Sequence, residues 1–290
     1  MTGPATEAVH TCKNCSNQFV GKYCNRCGEK VVTDHDKSIL HLAEENLHFL
    51  THFEGSFFNS LKAILTAPGR FSLHYTNGMR KRYFKPVSFF LMLVILYLLL
   101  PFFRGLNMPL QNHLDGTLYS GVAQKMAAPK FDRYLAEHKD STVAFTQLSE
   151  SFAKKSDKTS KVLLFLIIPF SALPLYLLFR KKNPYFHDHL ILATEINSFF
   201  LLFIFFILGG LMALLSMFIP AIDHLPVFGI LFGVVAYSIF ALFCYKAFAR
   251  FYRPKAFSNI LSVVLFLAWH SLTVFIIYKF ILFVTVMMLI

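Results

Sequence analysis

Apolar and polar residues are distributed unevenly along the chain. Charged and polar positions are frequent up to about residue 86, whereas long apolar runs dominate the rest. A helix needs about 20 apolar residues to cross the roughly 30 Å hydrocarbon core of a bilayer. The runs predict about five membrane-spanning helices, at Val87–Phe103, Val162–Phe179, within Leu190–Ile219, at Val227–Tyr245 and within Phe257–Ile290. The sequence therefore predicts an all-α polytopic membrane protein.

The same pattern sets the expected domain organisation. Between the first two predicted spans, apolar residues recur at helix-like intervals in a mixed-charge stretch, which predicts two short helices in an extracytoplasmic loop. We divide the chain into a head at 1–33, helices and a basic joint at 34–86, the first span at 87–103, a helical loop at 104–161 and a membrane bundle of about four spans at 162–290.

A short amphipathic segment precedes the first predicted span. Its apolar residues recur at i, i+1, i+4, i+7 and i+8, which places them on one face of a helix. They are Phe57, Phe58, Leu61, Ile64 and Leu65. Such a stripe beside a membrane span predicts an interfacial helix that lies on the bilayer. Packing of the stripe on a neighbouring helix is an alternative that does not exclude the first.

Composition and charge agree with a membrane setting. The 290 residues are 56% hydrophobic and 15% charged, with a formal net charge of +12. Most basic residues lie beside apolar spans, where attraction to anionic lipid headgroups explains them better than nucleic-acid binding does. The basic residues that we expect at the lipid surface are Arg70, Arg80, Lys81, Arg82 and Lys85.

Charge also predicts the orientation in the membrane. Lys and Arg are in excess on the cytoplasmic flanks of membrane helices, so the basic residues before the first span place the N-terminus in the cytoplasm. Five spans then place the C-terminus outside. Four lysines between residues 154 and 161 fall on the outer side, but charge governs translocation of so long a loop only weakly. No cleavable signal peptide is predicted in residues 1–11. The predicted location is the bacterial inner membrane.

Four of the five cysteines form two CxxC pairs separated by eight residues. They are Cys12, Cys15, Cys24 and Cys27. Four thiolates at this spacing predict one tetrahedral Zn²⁺ per chain, and a site with four protein ligands is structural because no coordination position stays open for substrate. Two disulfides, four thiols without metal, or iron are alternatives. A reducing cytoplasm disfavours disulfides.

Other polar residues are weaker candidates for metal binding or transport. Two imidazoles one helical turn apart, as in the HxxxH at positions 48–52, have metal-ligand spacing. Ionisable residues inside predicted spans are functional candidates, although an interfacial carboxylate or a hydrogen-bonded neutral imidazole explains them better. The candidates are His41, His48, His52, His187, His189, Glu195 and His270.

A family resemblance follows from the four-cysteine ribbon, the two helical segments after it and the basic motif that leads into the first span. This order resembles a bacterial membrane family known only as domain of unknown function 3667. Besides the four cysteines, the residues that carry the resemblance are Pro68, Gly69, Arg70, Tyr75, Gly78, Arg80, Lys81, Arg82, Tyr83, Phe84, Lys85 and Pro86. The family has no assigned reaction, so the resemblance implies an architecture and leaves the function open.

The sequence favours a non-catalytic scaffold or docking protein whose zinc ribbon binds a cytoplasmic protein. Motifs such as a Gly-rich phosphate loop, GxSxG or HExxH do not occur in it. One alternative is a transporter or lipid-handling protein that uses Glu195 and His270. A second is a membrane enzyme that uses the histidine cluster and a metal. Nucleic-acid binding by the ribbon is a weaker option, because few aromatic residues accompany its basic ones.

Overall fold

A computed structural model of the protein describes residues 9–12, 16–26, 53–79, 82–99, 106–219 and 226–290. Apart from one small hairpin, the secondary structure of these residues is helical. The chain divides into two compact units, Met1–Gly55 and Ser56–Ile290. We describe each unit by itself.

Residues 9–12 and 16–26 of the N-terminal unit contain a two-stranded hairpin. Strands β1 (Val9–Thr11) and β2 (Gln18–Val20) pair antiparallel, with His10 opposite Phe19. Phe19 is buried together with Cys12 and Cys24, and these three side chains form a small core. Small units of this kind are often stabilised further by a metal or disulfides.

Twelve α-helices follow in the described residues of the chain. They are α1 (Phe53–Thr66), α2 (Arg70–Thr76), α3 (Pro86–Leu99), α4 (Leu110–Asp115), α5 (Ser120–His138), α6 (Ser141–Leu163), α7 (Ile167–Phe179), α8 (Phe186–Phe200), α9 (Gly210–Phe218), α10 (Pro226–Phe251), α11 (Ala256–Leu272) and α12 (Tyr278–Leu289). Two π-helical segments, Leu201–Gly209 and Thr273–Ile277, join α8 to α9 and α11 to α12, so each pair forms one long helix.

Three helical stretches of the described chain are long and apolar enough to cross a membrane. They are Phe186–Phe218, Leu231–Phe251 and Ala256–Leu289. A fourth candidate is a pair of helices, Ser141–Ser160 and Leu164–Phe179, that bends by 48° at its break. The described residues therefore contain three or four candidate spans, whereas the sequence predicts about five.

The difference in span number arises mainly at α3. This helix corresponds to the first predicted span, but its 14 residues are fewer than the roughly 20 that a perpendicular crossing needs. Residues 100–105, which the prediction assigns to the end of this span and the start of the loop, lie outside the described residues.

The amphipathic segment before the first span forms α1 as expected, and part of its apolar stripe packs inside the protein. The ring of Phe57 stacks on Phe89 of α3 with 5.1 Å between centroids, and Ile64 is fully buried. Phe58 and Leu65 remain exposed. The stripe thus packs on a neighbouring helix on one side and leaves apolar surface on the other.

The region between α3 and α7 consists of α4 and two antiparallel helices, α5 and α6. The Asp140 carboxylate caps α6 by accepting the N–H of Thr142 at 2.7 Å and of Val143 at 3.3 Å. These helices have 19 and 23 residues, longer than the two short helices that the sequence predicts. Both pack against α12, where the ring of Tyr119 meets Phe280 at 5.1 Å between centroids.

Helix α8 lies at the centre of the second unit. It packs on α2, α3, α7 and α10, and nearly all its side chains after the first turn are buried. Aromatic stacking fixes its neighbours: Phe199 stacks on Phe243 of α10 at 3.8 Å, and Phe179 of α7 stacks on Tyr252 at 3.9 Å. This central position brings one face of α8 against the basic segment before α3.

Candidate functional site

The peptide bond between Pro68 and Gly69 is held from both sides by charged groups of the helical bundle. Its N–H donates to the Oε1 atom of Glu195 on α8 at 2.8 Å. Its carbonyl oxygen accepts a hydrogen bond from the guanidinium of Arg250 on α10. The two bundle residues therefore fix the position of one peptide unit more than 100 residues before them in sequence. We call this arrangement the Pro68–Gly69 clamp.

Glu195 also caps the helix that starts at the clamp. Helix α2 has no acidic residue in its first turn, and its N-cap, Gly69, has no side chain to accept a hydrogen bond. The second carboxylate oxygen of Glu195 accepts the N–H of Ser72 at 2.8 Å. A buried carboxylate that accepts two N–H groups at a helix N-terminus is stabilised both by these bonds and by the helix dipole. Glu195 is fully buried, so this capping happens away from water.

The backbone of Gly69 approaches α10 too closely for any other residue. Its φ is +76°, in the left-handed region that glycine adopts without strain. A Cβ atom at this position would lie 2.7 Å from the carbonyl oxygen and 2.9 Å from the Cα of Ala247. Ala247 is itself fully buried, so the contact requires a small residue on each side.

Two basic side chains, His74 of α2 and Arg82 after it, meet at Tyr83. His74 is hydrogen-bonded through Nδ1 to the hydroxyl of Tyr83 at 2.8 Å. The guanidinium carbon of Arg82 lies 5.9 Å from the centroid of the Tyr83 ring. Partial burial lowers the pKa of His74, and the positive charges of Arg82, Arg70 and Arg250 lower it further. His74 is therefore mostly neutral at pH 7.

The other basic residues predicted at the lipid surface fall around this site or outside the described chain. Lys85 is exposed just before α3, and its carbonyl accepts the first hydrogen bond of that helix, from Phe89 at 2.8 Å. Arg80 and Lys81 lie outside the described residues.

The histidine candidates do not form a common site among the described residues. His187 is exposed beside Asp188, at 3.1 Å between Nδ1 and the carboxylate. His189 is buried, with Nδ1 at 2.6 Å from the hydroxyl of Tyr252 and Nε2 at 2.9 Å from the carbonyl of Asn183. Both of its ring nitrogens are thus already engaged. The predicted His41, His48 and His52 lie outside the described residues.

Glu195 and His270 contact different helices. Glu195 faces α2. The Nε2 atom of His270, on α11, lies 3.3 Å from the side-chain oxygen of Asn197 on α8. Residues at positions i and i+2 of an α-helix are about 200° apart around its axis, so Glu195 and Asn197 point in nearly opposite directions. The rings of Phe200 and Phe240 each pack on His270 at 5.0 Å between centroids. The structure does not bring these two candidates into one polar site.

The described part of the cysteine ribbon is consistent with a shared site but incomplete. Cys12 and Cys24 are buried in the same small core, whereas Cys15 and Cys27 lie outside the described residues. No group of three or more His, Cys, Asp or Glu side chains in the described chain could hold a metal ion. The four-cysteine zinc site therefore stays a prediction.

Sequence reasoning misses the two α10 residues of the clamp region. Arg250 lies just after the predicted span Val227–Tyr245, where a basic residue gives no hint of its hydrogen-bond partner, and Ala247 carries no signal at all. The useful signals are a single carboxylate in an apolar run, Glu195, and a Pro-Gly pair inside a basic motif. Neither identifies its partner, because the groups that bind Glu195 are backbone N–H groups, which every residue except proline carries.

Comparison with known proteins supports the resemblance over this segment. The sequence model of a family described as protein of unknown function (DUF3667) matches residues 54–98, which include the clamped peptide and α2. The four cysteines lie before the matched residues. No curated protein and no solved structure matches the chain. Residues 54–98, which contain the Pro68–Gly69 clamp, are therefore similar to the family described as protein of unknown function (DUF3667).

Proposed function

We propose that the protein is a non-catalytic docking protein of the bacterial inner membrane. In this proposal the head at residues 1–33 binds a cytoplasmic protein, and the segment at residues 54–98 anchors the chain at the membrane surface. The Pro68–Gly69 clamp is the observation that carries the proposal. It uses the charged groups of the bundle to hold a backbone segment in place.

The clamp favours anchoring over transport or catalysis. A carboxylate that exchanges protons or binds ions needs an oxygen that can reach them. Both oxygens of Glu195 accept backbone N–H groups at 2.8 Å, and the side chain is fully buried. Helix α2 would lose its cap if Glu195 left this position to bind a substrate.

The head fits a structural zinc ion. Four thiols at CxxC spacing are a donor set that zinc prefers, and Cys12 and Cys24 are buried in one cluster with Phe19. When bound, zinc would supply folding free energy to this small unit. With four protein ligands it leaves no position for a reactant, so the head serves as a binding module.

The proposed orientation places the N-terminus in the cytoplasm. The candidate spans support membrane insertion, and α3 would complete a set of about five spans with the C-terminus outside. The basic residues before α3 would then face the anionic lipids of the inner leaflet.

Zinc content and head integrity test this function. We expect about one zinc per chain in the purified protein, and loss of zinc in the double variant Cys12→Ser, Cys24→Ser. The matched control is Cys244→Ala, which changes the buried cysteine of α10 and should keep the zinc. Membrane insertion and the melting temperature of the helical bundle should be unchanged in the double variant. A photo-crosslinker at the exposed Tyr23 should capture a partner protein in native membranes. We expect this capture only when the chain has zinc bound, and not in the double variant.

Two results would contradict the proposal. Collapse of membrane insertion in the double variant would show that the head is not a separate module. Iron in addition to zinc, lost on His48→Ala with His52→Ala, would favour the histidine-based enzyme instead.

A further inference from the structure

Three separate elements bring basic side chains to one place at the surface of the second unit. Helix α2 contributes Arg70 and His74, which are one turn apart and share a face. The connection between α2 and α3 contributes Arg82, and α10 contributes Arg250. We call Arg70, His74, Arg82 and Arg250 the arginine cluster. The Arg250 guanidinium donates to the carbonyl oxygen of Pro68, two residues before Arg70. The guanidinium carbon of Arg82 lies 5.9 Å from the ring centroid of Tyr83, whose hydroxyl is 2.8 Å from Nδ1 of His74.

The positive charge of the cluster is not balanced by the carboxylate beside it. Glu195 is buried beneath α2, where its two oxygens accept the N–H groups of Gly69 and Ser72. Arg70 and Arg82 are exposed on the outer side of the same region. Three guanidinium groups against one carboxylate leave an excess of positive charge, of which Arg70 and Arg82 are exposed and Arg250 is half-buried.

Hydrogen bonds and ring contacts fix the backbone that presents the cluster. The side chain of Asn59 on α1 donates to the carbonyl of Arg82 at 3.4 Å. Tyr83 is held between the imidazole of His74, at 2.8 Å, and the ring of Phe71, at 5.4 Å between centroids. A binding site gains affinity when its groups are held in position before the ligand arrives.

The cluster lies where phospholipid headgroups are expected. Arg250 is the second-last residue of the candidate span Leu231–Phe251, and the apolar helix α3 begins four residues after Arg82. The ends of apolar helices lie at the boundary between hydrocarbon and headgroups. A lipid phosphate at that depth would reach the guanidinium groups while its acyl chains stay beside exposed apolar residues of α10 such as Leu242.

We propose that the arginine cluster binds the phosphate group of an anionic phospholipid as a discrete site. Guanidinium groups match phosphate oxygens because their N–H groups form a planar fork that can donate two parallel hydrogen bonds. The proposal deepens the anchoring function above and rests on the membrane orientation proposed there. The sequence predicts lipid binding only for basic residues before the first span. The proposal adds His74 and the bundle residue Arg250 to that set.

Lipid-dependent stability of the full-length protein tests the site. Purified protein in a neutral detergent is titrated with phosphatidylglycerol, and the melting temperature is measured at each concentration. We expect a saturable increase for the unchanged protein, with an apparent affinity about tenfold weaker in Arg82→Gln and in Arg70→Gln, because each loses charge-assisted hydrogen bonds. The matched control is Lys255→Gln, which removes one exposed positive charge near the same end of α10.

Two further comparisons separate a discrete lipid site from diffuse charge attraction and from binding of a free anion. Equal weakening in Lys255→Gln and Arg82→Gln would show diffuse charge attraction and overturn the proposal. An equal effect of inorganic phosphate at the same concentration would assign the cluster to a free anion rather than a lipid, which also overturns it. Zinc content is measured in the same samples. If the protein keeps about one zinc per chain but phosphatidylglycerol does not raise its melting temperature, the lipid site is wrong while the proposed function of the head stands.

Discussion

At the scale of single residues, Glu195 determines how the basic segment meets the membrane helices. A buried carboxylate is costly unless hydrogen bonds replace the water that it loses. Here the replacement comes from the N–H groups of Gly69 and Ser72, each 2.8 Å from a carboxylate oxygen. On the other side of the Pro68–Gly69 peptide bond, the Arg250 guanidinium donates a hydrogen bond to the carbonyl oxygen of Pro68.

We therefore predict that Glu195→Gln weakens the attachment of α2. A glutamine side chain offers one oxygen, and its NH₂ group would face the second N–H donor and leave it unsatisfied. A buried donor without a partner costs about 1–3 kcal/mol. The expected result is a lower melting temperature together with faster amide hydrogen exchange in residues 69–76.

A surface carboxylate provides the control for this change. Glu150→Gln makes the same chemical replacement at an exposed position of α6 and should leave both measurements unchanged. Unchanged exchange in α2 of Glu195→Gln would contradict the capping role of Glu195.

The residue scale also shows how far the sequence can predict this site. Glu195 is recognisable as a candidate because a carboxylate in an apolar run is unusual. Its role is not predictable, because its partners are backbone groups 126 and 123 positions away in the sequence. Only the folded arrangement of α2 against α8 brings them together.

At the scale of secondary-structure elements, the close approach of α2 and α10 depends on Gly69. The residue has a positive φ, and a Cβ there would overlap with the backbone of Ala247. Gly78 provides a natural comparison, because its φ is +92° but no atom lies within 4 Å of a Cβ added to it. Substitutions at Gly69 and Gly78 therefore share the free-energy cost of a left-handed backbone. Only a substitution at Gly69 adds the cost of a clash with Ala247.

We predict that Gly69→Ala destabilises the protein more than Gly78→Ala. The left-handed backbone alone costs about 1–2 kcal/mol in either variant. Only Gly69→Ala also pushes α2 away from α10, and this should stretch the bonds to Glu195 and Arg250. Thermal unfolding measures the difference, and hydrogen exchange in α2 should increase in Gly69→Ala alone. Equal destabilisation of the two variants would show that the contact with Ala247 contributes nothing.

The existence of an element is easier to predict than its length. Apolar runs of more than 20 residues predict helices reliably because few other structures satisfy the backbone in such sequence. For the last run, the length alone predicts a tilt, a break near Lys279 or an interfacial tail. The structure has no break near Lys279, because the helix continues through a π-helical segment, Thr273–Ile277, into α12. A single helix of this length fits the tilt alternative. Such segments depend on packing with neighbours and have no sequence signature of their own.

At the scale of the whole molecule, basic residues gather at one end of the second unit. The ammonium of Lys182, just after α7, donates to the carbonyls of Tyr252 and Arg253 at the end of α10. The clamp residue Arg250 is the second-last residue of that helix. This grouping of positive charge is the pattern expected of a cytoplasmic face, and it can be foreseen from the sequence because charge follows topology.

The orientation is testable with cysteines placed one at a time in exposed connections of a chain whose five native cysteines are replaced by serine or alanine. If the basic end is cytoplasmic, a membrane-impermeant maleimide added to intact spheroplasts should not modify Lys181→Cys or Lys255→Cys. It should modify Lys139→Cys, in the turn between α5 and α6, because that turn lies in the predicted outer loop. After lysis all three should react, which shows that each thiol is accessible. Modification of Lys181→Cys before lysis would reverse the orientation and place the arginine cluster against the outer leaflet. That result would remove the cytoplasmic argument for a reduced zinc ribbon, because disulfides would then become the favoured state of the four cysteines.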